Sequence, residues 1–216
     1  MFVLTDLHPH VEAWQGASKK SENVRFVAEG VDAADAPRDL VERATTTTTT
    51  TTTTGEAGRR RRGDEGSSGD EKKEKKKVMR LFSLAFHHFD DELAEGILRN
   101  TLETSDGFGI FELQSRTISS FITIFLFGPL LGIISLYYFW NRPLHLFFTY
   151  VVPLIPFCVV FDGYISSLRT RTPEEVEALL RKANGGRRLE GWRFMSGQEV
   201  HTWPTGWMSW VICVRE

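Results

Sequence analysis

The 24 residues from Thr117 to Trp140 carry no charged side chain, and this run limits what the chain can fold into more than any other feature. It is rich in Ile, Leu and Phe, and as a helix it is long enough to cross a bilayer, which needs about 20 apolar residues. A second uncharged stretch, Pro143 to Phe161, follows after Asn141 and Arg142 and is interrupted by Pro153 and Pro156. The short link between them predicts a helical hairpin over 117–161, with Tyr137, Tyr138, Trp140 and Tyr150 suited to a membrane–water boundary. Gly128-Pro129 and the two later prolines predict kinks in both arms. A shallow re-entrant hairpin and two complete spans are both compatible with that pattern. So is a pair of buried helices covering a sheet or forming a dimer contact, although uncharged aromatic-rich runs of this length are uncommon in soluble cores. Either hairpin returns the chain to its starting side. The basic residues that follow, Arg169, Arg171, Arg181, Lys182, Arg187 and Arg188, assign that side to the cytosol by charge bias.

Of the 216 residues, a sizeable part cannot contribute to a core. Thr45 to Thr54 is a homopolymer. Gly55 to Lys77 adds Gly, Ser, the arginines Arg59 to Arg62 and the lysine cluster Lys72, Lys73, Lys75, Lys76 and Lys77. Such a composition buries too little apolar area to offset chain entropy, so 44–77 is expected to be a disordered insertion. Its basic tract could touch RNA, anionic lipid or an import receptor, yet no aromatic residues interleave with it and the whole chain has a net charge of -2, which argues against nucleic-acid binding. Cys158 and Cys213 stand alone in apolar stretches, as expected for buried thiols in a reducing compartment, with no metal site. The start, MFVLTDLHPH, lacks the basic and long apolar regions of a secretion signal. It opens inside a strand, which predicts that the natural domain begins further upstream.

Chemistry is suggested by the segment 78–116. An apolar run from Val78 to Phe86 ends in His87 and His88. Asp90 then caps a helix whose Leu93, Ile97, Leu98 and Leu102 recur at helical spacing. Asp106-Gly107 closes that helix, and Phe108 to Leu113 reads as a second buried strand. A strand–helix–strand unit within one sheet has parallel strands, and ligands bind beyond their carboxyl ends. His87 and His88 stand at one such end, and Glu112 near the other.

Flanking segments supply further strands. Phe2 to Leu4 ends at Asp6, and Val24 to Val27 is followed by Asp32 and Asp35; each aspartate could equally cap a turn or helix. Downstream, Thr172-Pro173-Glu174-Glu175 predicts a well-formed helix start, with Val176, Leu179 and Leu180 inward and a stop at Asn184-Gly185-Gly186. Trp192 to Val200 and Trp207 to Val214 predict a closing antiparallel hairpin, so that 162–216 supplies a C-terminal helix and that hairpin.

Taken in order, TDLHPH, VDAADAP, LAFHHFDDELAEGILRNTL, FGIFEL, FDGYISSLRTRTPEEVEALL and the final WRFMSGQEV with WMSWVICVR resemble the class I S-adenosylmethionine-dependent methyltransferases. The resemblance implies an α/β fold: a Rossmann-like methyltransferase sheet, incomplete because its first strand is missing, with the apolar helical hairpin inserted. Segments 1–43, 78–116 and 162–216 would form that domain. It implies S-adenosylmethionine as cofactor, with Asp6 on the ribose hydroxyls and Asp32 and Ala33 bordering the adenine. His88, and second His87, would face the methyl group and the acceptor, with His88 the better-placed base. Ser166, Ser167 and Arg169 lie in a segment characteristic of one group within the family. The family's first strand and Gly-rich turn would precede Phe2, and no GxG stands before Asp6. Two functions are therefore compatible with the sequence. One is a membrane-associated methyltransferase acting on a small or lipid-like acceptor; the other is a non-catalytic membrane or interaction protein that retains the fold without the cofactor.

Overall fold

A computed structural model describes residues 1–44 and 77–216. The expected disordered insertion, 44–77, lies outside the described residues apart from Ala44 and Lys77. The described chain is mixed α/β, with two sheets and an apolar helical arm. In the first sheet, β1 (Phe2–Leu4) pairs in parallel with β2 (Val24–Phe26), and α1 (Val11–Lys20) connects them.

The second sheet contains β3 (Met79–Ser83), β4 (Gly107–Glu112), β5 (Trp192–Thr202) and β6 (Gly206–Arg215) in the order β3-β4-β6-β5. β3 and β4 are parallel, as the strand–helix–strand reading requires, while β6 is antiparallel to both of its neighbours. Register aligns Phe82 with Ile110 and Ile110 with Val211, so these side chains share one face. That face is covered by α2 (Asp91–Thr104) and α6 (Pro173–Ala183), which contribute Ile97, Leu98, Val176 and Leu180 to the core. Each such side chain contributes roughly 1.5–3 kcal/mol through burial. On the opposite face Met79 and Leu81 remain about half exposed.

Local signals explain the helix starts. Asp90 accepts the Leu93 N–H at 2.8 Å, and Thr172 and Glu175 form a reciprocal capping box around Pro173. Leu93, expected inside, is exposed, and Ala94 takes the inward place. The inward stripe of α2 runs through Ala94, Ile97, Leu98 and Thr101, and Leu93 sits about 100° from Ala94 around the helix. The first strand also ends earlier than its apolar run. β3 stops at Ser83 because Leu84 takes a φ of 55°, which ends the extended backbone.

The apolar arm begins with α3 (Ile118–Tyr138), capped by Thr117 and continuous through Pro129. The expected break falls only in the return, where α4 (Pro143–Leu146) and a π turn (Phe147–Val151) meet α5 (Leu154–Arg169) at a 61° bend beside Pro153. α5 continues past Phe161 to Arg169. α3 is long and apolar enough to cross a membrane, and the bent return makes a second span if it is counted as one. α3 and α5 meet through small residues: a Cβ on Gly163 would lie 2.7 Å from Ile124, and the Ser120 and Ser167 hydroxyls are 3.3 Å apart. The reading as two helices buried against the sheet is corrected, since the outward side of the arm is bare in the single chain: Ile133 is 70% exposed and Phe157 62%. Cys158 shares this outward exposure, contrary to the expectation of a buried thiol, whereas Cys213 is buried and desolvation pushes its pKa up to about 11.

Candidate functional site

The turn that follows β3 organises the site. Once Leu84 has turned the backbone, its N–H donates to the Phe111 carbonyl at 2.9 Å, and a short 3-10 turn, Phe86–His88, follows. Phe86 drops into the core and His87 is buried behind it. His88 points outward.

Glu112, the last residue of β4, lies on the core-facing side of its strand and is 4% exposed. A charged residue this deep requires partners. Its Oε1 accepts the His87 backbone N–H at 3.1 Å, and its Oε2 contacts His87 Nδ1 at 2.8 Å. A carboxylate oxygen accepts, so Nδ1 is the donor in this contact. The His88 ring rests on the His87 ring with centroids 4.2 Å apart. A hollow of about 10 Å³, space for one water, lies against the pair and is lined by Phe86, Ile110, Arg171 and Ser209 among others.

Two arginines hold this turn from the far end of the apolar arm. Arg169, the last residue of α5, donates to the His88 carbonyl at 2.9 Å. Arg171 donates to the Phe86 and Phe89 carbonyls at 3.2 and 2.8 Å and pairs with Asp91 at 2.8 Å. Hydrogen bonding to Arg171 also holds the Asp91 carboxyl below its usual range. Arg171→Ala would leave the Phe89 carbonyl without this donor and the Phe86 carbonyl with only the Phe89 N–H at 3.4 Å, and a loss of about 2 kcal/mol is expected in urea unfolding. Arg171→Lys should recover only part of it, because an ammonium cannot reproduce the planar fork.

The residues expected at the cofactor form a second cluster. Asp6 Oδ1 accepts the His8 N–H and Asp32 Oδ1 the Ala34 N–H, both at 2.8 Å, which leaves one oxygen of each exposed carboxylate clear of these turns. The Val31 N–H donates to the Asp6 carbonyl at 2.9 Å, so the two loops lie side by side. Ala33 is fastened through its carbonyl to Arg80 at 3.2 Å, and the Ala36 carbonyl to Asn100 at the same distance. A cavity of about 170 Å³ beside Asp32 is lined by Val27, Val31, Pro37 and Leu40 with Glu29, Asp35 and Arg43. The structure thus sets the Asp6 loop beside the Asp32 loop, and brings His87 together with Glu112. Among the described residues, no hydrogen bond joins one cluster to the other, and their hollows share no lining residue.

No family model, curated protein or solved structure matches the chain. The site therefore rests on its own geometry. Sequence reasoning noted Glu112 only as a strand end and gave Arg169 and Arg171 a part in the charge bias after the arm but none at the site. The available signal was a single carboxylate closing the otherwise apolar strand FGIFEL, a position at which an unpaired charge is costly. Nothing comparable in the sequence pointed to the arginines, because their partners are backbone carbonyls more than 80 residues away.

Proposed function

We propose that this chain is a membrane-associated domain of the class I S-adenosylmethionine-dependent methyltransferase type, acting on a small or lipid-like acceptor. The observation that carries this reading is the exposed His88 ring resting on the buried His87–Glu112 pair, beside the carboxyl ends of two adjacent parallel strands. His88 is the acceptor-side base, and His87 with Glu112 fixes it from beneath. The break between the β1–β2 pair and β3 supports the sheet assignment, because it falls where the resemblance leaves out a strand. The closing β5–β6 hairpin supports it as well.

The donor set suits the nucleoside part of S-adenosylmethionine. The exposed carboxylate of Asp6 would accept from the ribose hydroxyls, and Asp32 would stand at the adenine. Ala33 would border the adenine, with Val31, Pro37 and Leu40 offering it apolar surface. When bound, that cofactor supplies a methyl group activated by its sulfonium. What the protein must add is a held acceptor and a place for its proton. The bare apolar outside of α3 and α5, closed against each other by Gly163, Ser120 and Ser167, supports membrane association, since small residues let helices approach where lipid covers the rest. The basic residues after α5 support a cytosolic position for the α/β part.

His88→Ala is expected to leave cofactor affinity, measured by titration calorimetry, nearly unchanged while turnover falls by about 10²–10⁴-fold. Unchanged turnover removes His88 from the reaction. The second reading is a domain that retains the fold without binding cofactor. Absence of both heat and thermal stabilisation with millimolar S-adenosylmethionine would establish that second reading.

A further inference from the structure

We propose that the membrane boundary on the domain side crosses the apolar arm at the level of Thr123 and Asp162, and that the β5–β6 turn, carrying Trp203 and Trp207, is seated in the headgroup–acyl boundary at that level. This rests on the membrane reading of the arm and gives it a defined edge and a second contact surface.

Separate observations set the level. Thr123 Oγ1 donates to Thr205 Oγ1 at 2.7 Å, which fastens the β5–β6 turn to the second turn of α3. At the next residue, Ile124, α3 meets Gly163 so closely that a Cβ there would lie 2.7 Å away. Asp162 therefore stands at the same height on α5, and it is exposed. It is the first charged residue on the return from Arg142. On the domain side of this level the two helices carry Ser119, Ser120, Ser166, Ser167 and Arg169, with Arg116 just before α3. On the other side, Ile124 to Tyr138 and Pro143 to Phe161 hold no carboxylate, lysine or arginine.

The turn has the chemistry of that boundary. Trp203 is 85% exposed, the most exposed large apolar side chain among the described residues. Trp207 pairs across the hairpin with Val200, and both are also exposed. An indole has an apolar body and one N–H donor, and it is enriched where one part of a ring is dry and the other wet. The last carboxylate of α5, the close approach of α3 to α5 and the tryptophan-bearing turn, from three parts of the sequence, meet at this height, with exposed Ile118 and Leu168 just on its domain side. A planar boundary such as a bilayer meets all three at once; a protein partner has no need to. From Ile124 to Tyr138 the apolar band is about 22 Å long, enough to carry the tip past the midplane of a core about 30 Å thick.

The test uses the full chain with Cys158→Ser, reconstituted in phosphatidylcholine–phosphatidylserine vesicles, with buried Cys213 left in place. One environment-sensitive fluorophore is attached through Trp203→Cys, Leu130→Cys or Arg188→Cys, and nitroxide lipids quench either near the headgroup or deep in the acyl chains. Position 203 should be quenched several-fold more by the shallow nitroxide than by the deep one, position 130 should show the reverse, and position 188 should respond to neither. If 203 behaves like 188 while 130 is quenched, or if the deep nitroxide quenches 203 more strongly, the boundary proposal fails and the membrane reading stands. If no position is quenched, both fail.

Discussion

Replacing Glu112 with alanine is expected to cost about 3 kcal/mol of folding stability, the largest effect of any single substitution at the site. Glu112 and His87 are each about 5% exposed, and one carboxylate serves both the His87 ring and its backbone N–H. Removal strands two buried donors and opens a hollow beside the existing space of about 10 Å³. Glu112→Gln should cost less, because its amide oxygen can still accept one of the two bonds while its NH₂ faces the other donor. His88→Ala, by contrast, should leave the urea midpoint close to that of the unmodified chain, since the ring is exposed and its contact is the His87 ring. Measuring the three variants side by side separates a pair that holds the turn from a residue that works at its surface. An alanine variant at 112 as stable as the parent would mean that the pair does not hold the turn.

A second large effect is expected on the outer side of α3. Leu126 and Leu130 are 53% and 45% exposed, one helical turn apart, and neither packs in the α/β core. Leu126→Asp combined with Leu130→Asp should therefore leave the urea-resistant α/β core unchanged. In a bilayer, each aspartate near the middle of a helix costs about 3 kcal/mol, so the pair should lower vesicle partitioning by about 10⁴-fold. Flotation through a density gradient checks this: the parent chain should rise with the lipid and the double variant should remain in the aqueous fraction. A parent chain that stays in the aqueous fraction without detergent would defeat the membrane reading. A double variant that floats like the parent would show that this side of α3 does not face lipid.

Much of the secondary structure was legible because it depends on neighbours in the chain. The Thr172 box, the Asp90 cap, the parallel pairing around α2 and the closing hairpin all follow from side chains within a few residues of one another or from apolar periodicity. The misreadings arose where geometry overruled composition. Leu93 has the right residue type but stands outside the inward arc of α2, and the run to Phe86 looks like continuous strand although Leu84 breaks it. Pro129 is accommodated within α3, whereas Pro153 coincides with the bend. A proline costs a helix one hydrogen bond and a clash wherever it occurs, and the surrounding turns determine whether the helix absorbs them.

The sequence by itself determined that the chain has an uncharged arm long enough to reach through a bilayer, a strand–helix–strand unit with histidines at its edge, and carboxylates just beyond two short strands. These depend on local composition and spacing. Only the tertiary structure decided that His87 turns inward to Glu112 while His88 faces out, that Arg169 and Arg171 tie the arm to that turn, and that Thr205 meets Thr123. The physical reason is common to the first two. A buried carboxylate, a buried guanidinium and a backbone carbonyl each require a partner once water is removed, and which partner is within reach depends on how distant segments pack.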